Sequence, residues 1–133
     1  MMKTILGAAV GVVSGFAVIY GIETLGHQLY PVATSMEVKD RAQLEAFMKA
    51  MPLGGLIFVV AAWILGAYVG SMVALLAGGR RRAAGLVPPV LIFAATIVTL
   101  FMMPHPVWMA VTGLAGIAAA AWLADRLFAL KQA

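Results

Sequence analysis

Residues 4–30, TILGAAVGVVSGFAVIYGIETLGHQLY, decide how the rest of this chain is read. The run holds no charged side chain before Glu23, and His27 follows one helical turn later. As a helix it is about 40 Å long at 1.5 Å per residue, more than the roughly 30 Å hydrocarbon core of a bilayer. It therefore predicts a first membrane-spanning helix that carries Glu23 and His27 to one membrane face. Gly7, Gly11 and Gly15 recur every four residues along it. Positions four apart share a helical face, so these three form a smooth groove that another backbone can approach closely. The groove serves packing inside the bundle or contact between copies of the chain.

Working outward, Met1-Met2-Lys3 before an apolar run resembles a signal peptide. The run is too long for the apolar part of such a peptide and lacks a good cleavage site, so it is expected to remain as a span. On the other side, Pro31 ends the helix. Thr34 and Glu37 have the spacing of a capping box. They open a short helix over about 36–51, with Leu44, Phe47, Met48 and Met51 on one face. Glu37, Lys39, Asp40, Arg41, Glu45 and Lys49 occupy its other faces. Acids and bases balance, so it lacks the cationic bias of a helix that binds anionic lipid. It reads as a strut or lid at the membrane surface.

Pro52 closes that helix, and a second span is expected over 54–77. Its Ala62, Gly66, Gly70 and Ala74 repeat the four-residue spacing and make the natural mate for the first glycine groove. Gly78-Gly79 stops it, and Arg80, Arg81 and Arg82 form a basic turn. A third span covers 84–103. Pro88-Pro89 sit near its start, where missing N–H groups cost little, or kink its first turn. Met103-Pro104-His105-Pro106 is a short, stiff connection to a fourth span over 106–128. That span has its own small face of Gly113, Gly116, Ala120 and Ala124.

The composition agrees with this reading. Of the 133 residues 64% are hydrophobic and 11% charged, with a mean hydropathy of +1.04. Soluble domains are nearer half apolar and about a quarter charged. The expected fold is an all-α integral membrane four-helix bundle, one domain over 1–133, with a short amphipathic helix between the first two spans. The absence of cysteine excludes disulfides, thiolate ligands and a thiol nucleophile. No nucleotide-binding loop, catalytic triad or transport signature is present, so the balance leans away from an enzyme.

The net charge of +4 is unevenly placed. Lys3, Arg80, Arg81, Arg82, Arg126 and Lys131 all fall on the side of the N-terminus, against Asp125 alone. The opposite side carries Glu23 and the balanced 31–52 segment. Basic residues favour the cytoplasmic side, which places both termini there. The basicity is thus an orientation signal, and nucleic acid has no support as a partner. Arg80, Arg81 and Arg82 are positioned to touch lipid headgroups. Tyr30 and Trp108 fit an outer aromatic belt and Trp122 an inner one.

Chemistry concentrates on the outer side. Glu23 and His27, one turn apart, can share a proton or bind one cation. His105, in the turn between the third and fourth spans, belongs to the same side. Together the three make a two-histidine, one-carboxylate set suited to zinc or another divalent metal. The competing reading leaves Glu23 and His27 solvated at the interface or bonded to the 31–52 segment, with His105 capping the last helix. Met102, Met103 and Met109 flank the same turn, but methionine is commonly a gap-filler rather than a copper ligand. Apart from that divalent ion, no cofactor is expected.

The pattern Glu23-x3-His27-x3-Pro31, the proline-bounded amphipathic segment and Pro104-His105-Pro106-x-Trp108 resemble those of a group of small, uncharacterised bacterial four-helix membrane proteins. The resemblance covers nearly the whole chain. It implies a bacterial inner-membrane location and no particular activity. The small multidrug transporters are similar in size and helix count only, because their membrane glutamate is mid-span whereas Glu23 is near the end of its helix.

Three functions follow as expectations. The first is a non-enzymatic membrane protein that packs through its glycine faces, either as a homo-oligomer or as an accessory subunit of a larger complex. The second is a small proton- or cation-linked transporter or channel using Glu23 and His27. The third is a membrane metal-site protein.

Overall fold

The computed structural model describes residues 1–30 and 40–131. These form five helices and no strand: α1 (Met2–Leu29), α2 (Arg41–Ala50), α3 (Leu53–Ala77), α4 (Arg82–Met102) and α5 (Val107–Phe128). The four long helices are each long and apolar enough to cross a membrane, and α2 is the short amphipathic element between the first two. The chain is an all-α helical bundle of the multi-pass membrane kind.

The spans start and stop within two residues of the expected positions, and the differences have local causes. Gly79, at φ +71°, ends α3 in the left-handed conformation. The Arg80 amide then reaches back to the Leu75 carbonyl at 2.6 Å, satisfying an end carbonyl of the helix. Arg80 itself sits at φ +61°. α4 begins at Arg82 rather than 84, which puts Pro88 and Pro89 inside the helix instead of at its start. Pro89 therefore cannot donate to the Gly85 carbonyl. The buried Ser71 hydroxyl on α3 donates to that oxygen instead, at 2.7 Å. A defect in one helix becomes a cross-link to its neighbour.

For α2, the expected Thr34–Glu37 capping box lies outside the described residues. The observed cap is Asp40, whose carboxylate accepts the Gln43 backbone N–H at 2.8 Å. This satisfies one of the free amides of the first turn.

α3 is the centre of the bundle. It packs against α1, α4 and α5, while α4 also touches α1 and α5; among the described residues α1 and α5 do not approach one another. The α1–α3 contact is backbone on backbone. A Cβ added at Gly11 would lie 2.5 Å from the Gly70 carbonyl oxygen and from Ala74 Cβ. One added at Gly15 would lie 2.9 Å from the Gly66 oxygen. Gly7 faces Gly78 in the same way. The expected pairing of the two small faces is thus made inside one chain. α5 presents Gly113 to the ring of Trp63, 2.8 Å from a Cβ built there, and Gly116 to Ile64.

One end of the bundle gathers the basic residues. There the Leu130 amide donates to the Arg80 carbonyl at 3.0 Å, and Arg82 lies 3.3 Å from Asp125 across the α4–α5 gap. Arg126 stacks over Trp122 at 5.1 Å. The opposite end holds Tyr30, packed on Phe58 and over Gly54, together with α2 and the α4–α5 turn.

Candidate functional site

At that second end the helices part around a partly open cavity of about 340 Å³. Every helix contributes to its wall. α1 supplies Phe16, Ile19, Glu23 and His27; α3 supplies Leu56, Val59 and Trp63. α4 adds Ile92, Ala95, Thr96, Thr99 and Met103, and Met109 comes from α5. α2 lies over the cavity with Phe47, Met48 and Met51 turned into it. Those are three of the four residues that its sequence pattern places on one apolar face, and Met48 is buried. The back wall is apolar: Trp63, Ile92 and Met109 are all buried.

The polar groups are few. Glu23 is half-buried and His27 exposed, and they stand one turn apart on α1. His105 reaches the cavity from the turn after α4. Its Nδ1 lies 3.0 Å from the Met103 carbonyl oxygen. A carbonyl only accepts, so Nδ1 carries a hydrogen in this contact. The ring rests 6.0 Å from that of Trp63. Thr99 gives its hydroxyl to the Ala95 carbonyl at 2.9 Å, so its oxygen keeps acceptor capacity only.

Glu23 and Asp125 differ in their surroundings. Asp125, in the last turn of α5, has Arg82 beside it. Glu23 makes no ion pair or hydrogen bond among the described residues. It also lines a narrow recess of about 10 Å³ between Gly26, Tyr30 and Phe58, so it stands where that recess meets the main cavity.

The structure brings Glu23, His27 and His105 to the wall of one cavity, but not to one metal centre. Among the described residues no group of three or more His, Cys, Asp or Glu side chains is close enough to hold a metal ion. As placed here, the three expected ligands line one wall without gathering into such a group. The reason is span: the histidine of the α4–α5 turn is drawn to Met103 and Trp63, while Glu23 and His27 sit on α1. The glycines named as packing residues, Gly7, Gly11, Gly15, Gly66 and Gly70, lie away from the site and hold α1 against α3. Arg80, Arg81 and Arg82 lie at the opposite end and are exposed, as a headgroup contact requires.

Sequence reasoning missed Thr96 and Thr99. No motif marks them; only the packing of α4 turns them into the cavity. Trp63, buried in the bundle, also gives the cavity an aromatic surface. No family model matches this chain, and neither a curated protein nor a solved structure matches it.

Proposed function

We propose that this chain is a bacterial inner-membrane protein, with both termini in the cytoplasm, that binds a small and mostly apolar cation in the cavity between its helices. Glu23 is the counter-charge, and His27, one turn away, exchanges protons with it. The observation that carries this reading is the position of Glu23: an acid in a spanning helix, on the wall of an apolar cavity, with no hydrogen bond or ion pair among the described residues and only the His27 imidazole, one turn away, acting on its charge. A carboxylate in such a place is costly until a proton or a cation neutralises it. A group that holds one or the other links the ligand to the proton, as a small proton-coupled transporter needs. The cavity lies at the small end of the usual range for ligand sites, about 300–1,000 Å³, and has the usual character of apolar walls with few polar groups.

The orientation rests on the basic end, Lys3, Arg80, Arg81, Arg82, Arg126 and Lys131, which the positive-inside rule places in the cytoplasm. The bacterial inner membrane rests on the resemblance of the Glu23–His27–Pro31 and Pro104–Trp108 patterns. The packing reading is weaker, because its glycine faces are already covered within one chain.

Binding of benzyltrimethylammonium to the purified protein tests the proposal. Glu23→Gln should weaken it about tenfold or more, as the loss of a charge-assisted contact does. Equal affinity in the two proteins refutes it.

A further inference from the structure

The wall of the cavity is not closed at membrane depth. Phe16 lines it and is 41% exposed. Ala95 lines it and is exposed as well. Phe16 is fourteen residues beyond Met2 and Ala95 thirteen beyond Arg82. Met2 and Arg82 start at the same end of the bundle, so both residues stand about 20 Å along their helices, near mid-span. Just below them the helices meet: a Cβ at Gly15 would be 3.2 Å from Ile92 Cδ1. Beyond that contact Phe16 on α1 and Ala95 on α4 each face both the cavity and the outside of the bundle. Towards the aqueous side α2 lays Phe47, Met48 and Met51 along the cavity, and Met48 is 5% exposed.

Resting on the cation-binding reading above, we infer that the cavity is reached sideways from the bilayer, through a portal between Phe16 of α1 and Ala95 of α4, and that its ligand is a membrane-dissolved amphiphile with a cationic head. The chemistry of the walls matches such a molecule. A tail lies against Phe16, Ile19, Trp63 and Ile92. The head reaches Glu23, which stands seven residues further along α1 than Phe16, about 10 Å nearer the membrane surface. A hydrated ion gains nothing from an aromatic and aliphatic wall.

Trp63 supplies the readout, because it is buried in the back wall and shielded from lipid. In a Trp108→Phe, Trp122→Phe background it is the sole tryptophan of the chain. The probe is 12-bromododecyltrimethylammonium, whose bromine quenches tryptophan at close range. It is mixed with liposomes carrying the protein while Trp63 fluorescence is followed. Quenching is expected in the parent, and Ala95→Phe, which fills the portal without adding a second tryptophan, should slow it at least tenfold. Ala95→Leu should slow it less, and the helical circular dichroism of both should match the parent. No quenching in the parent, or a parental rate in a folded Ala95→Phe protein, overturns the portal. Benzyltrimethylammonium binding that still depends on Glu23 would leave the underlying function standing. If Glu23→Gln changes the binding of neither cation, that function falls instead.

Discussion

The Ser71 hydroxyl donates a 2.7 Å hydrogen bond to the Gly85 carbonyl, the oxygen that Pro89 leaves without its helical donor. Both residues are buried, so nothing else is at hand to satisfy that acceptor. Ser71→Ala should therefore destabilise the bundle by about 1 kcal/mol. Pro89→Ala restores an N–H to the helix and should remove most of that penalty. A double-mutant cycle on unfolding in detergent measures the coupling; strictly additive effects would mean that the hydroxyl does not stand in for the missing amide.

Two glycines on the same helix should respond oppositely to alanine. Gly11→Ala places a Cβ 2.5 Å from the backbone of α3 and should cost about 1–3 kcal/mol, as overpacking does. A Cβ at Gly21 meets nothing within 4 Å, so Gly21→Ala should gain about 0.5–1 kcal/mol of helix propensity. Gly11→Leu should separate α1 from α3 altogether. Thermal unfolding of the three variants reads the order, and a Gly11→Ala protein as stable as Gly21→Ala would contradict the packing.

The Arg82–Asp125 pair should matter little. The two side chains are 55% and 25% exposed, and such pairs contribute about 0–1 kcal/mol. Asp125→Asn should lower stability by no more than that, and the difference should shrink as salt is raised. A loss that is large and insensitive to salt would show a different role for Asp125.

The orientation can be read with a reagent that cannot cross the membrane. The chain lacks cysteine, so any introduced thiol is unique. In intact cells Lys49→Cys, on the exposed face of α2, should react with a membrane-impermeant maleimide, and Lys131→Cys should react only after lysis. The reverse pattern would place the basic end outside.

Much of the architecture was legible because it depends on local pattern. Hydropathy marks four spans to within two residues, and the four-residue spacing of Gly7, Gly11 and Gly15 announces a partner that α3 provides. The apolar face of α2 was visible in Phe47, Met48 and Met51. What escaped was set by tertiary contacts. Pro88-Pro89 argued locally for a helix start, but Ser71, on another helix, lets α4 begin earlier. Asp40 was available as a cap, with Gln43 three residues on, yet Thr34 offered a competing signal. Glu23, His27 and His105 could be assigned to one side of the membrane, but not their separation around a cavity, nor the threonines that share it. Those depend on how α4 is rotated, which no periodicity in a uniformly apolar helix records.

The central place of α3 also bears on how the protein is made. α1 leaves the ribosome first, and only 17% of its apolar window is buried in the finished bundle. The glycine groove along its first half has no counterpart until Gly66, Gly70 and Gly78 have been synthesised. The first helix is thus born as a free lodger in the lipid, and the third one recruits it. A nascent chain whose Arg80 has cleared the ribosome already holds both halves of that joint, so α4 and α5 arrive to find a template waiting rather than a crowd to be sorted.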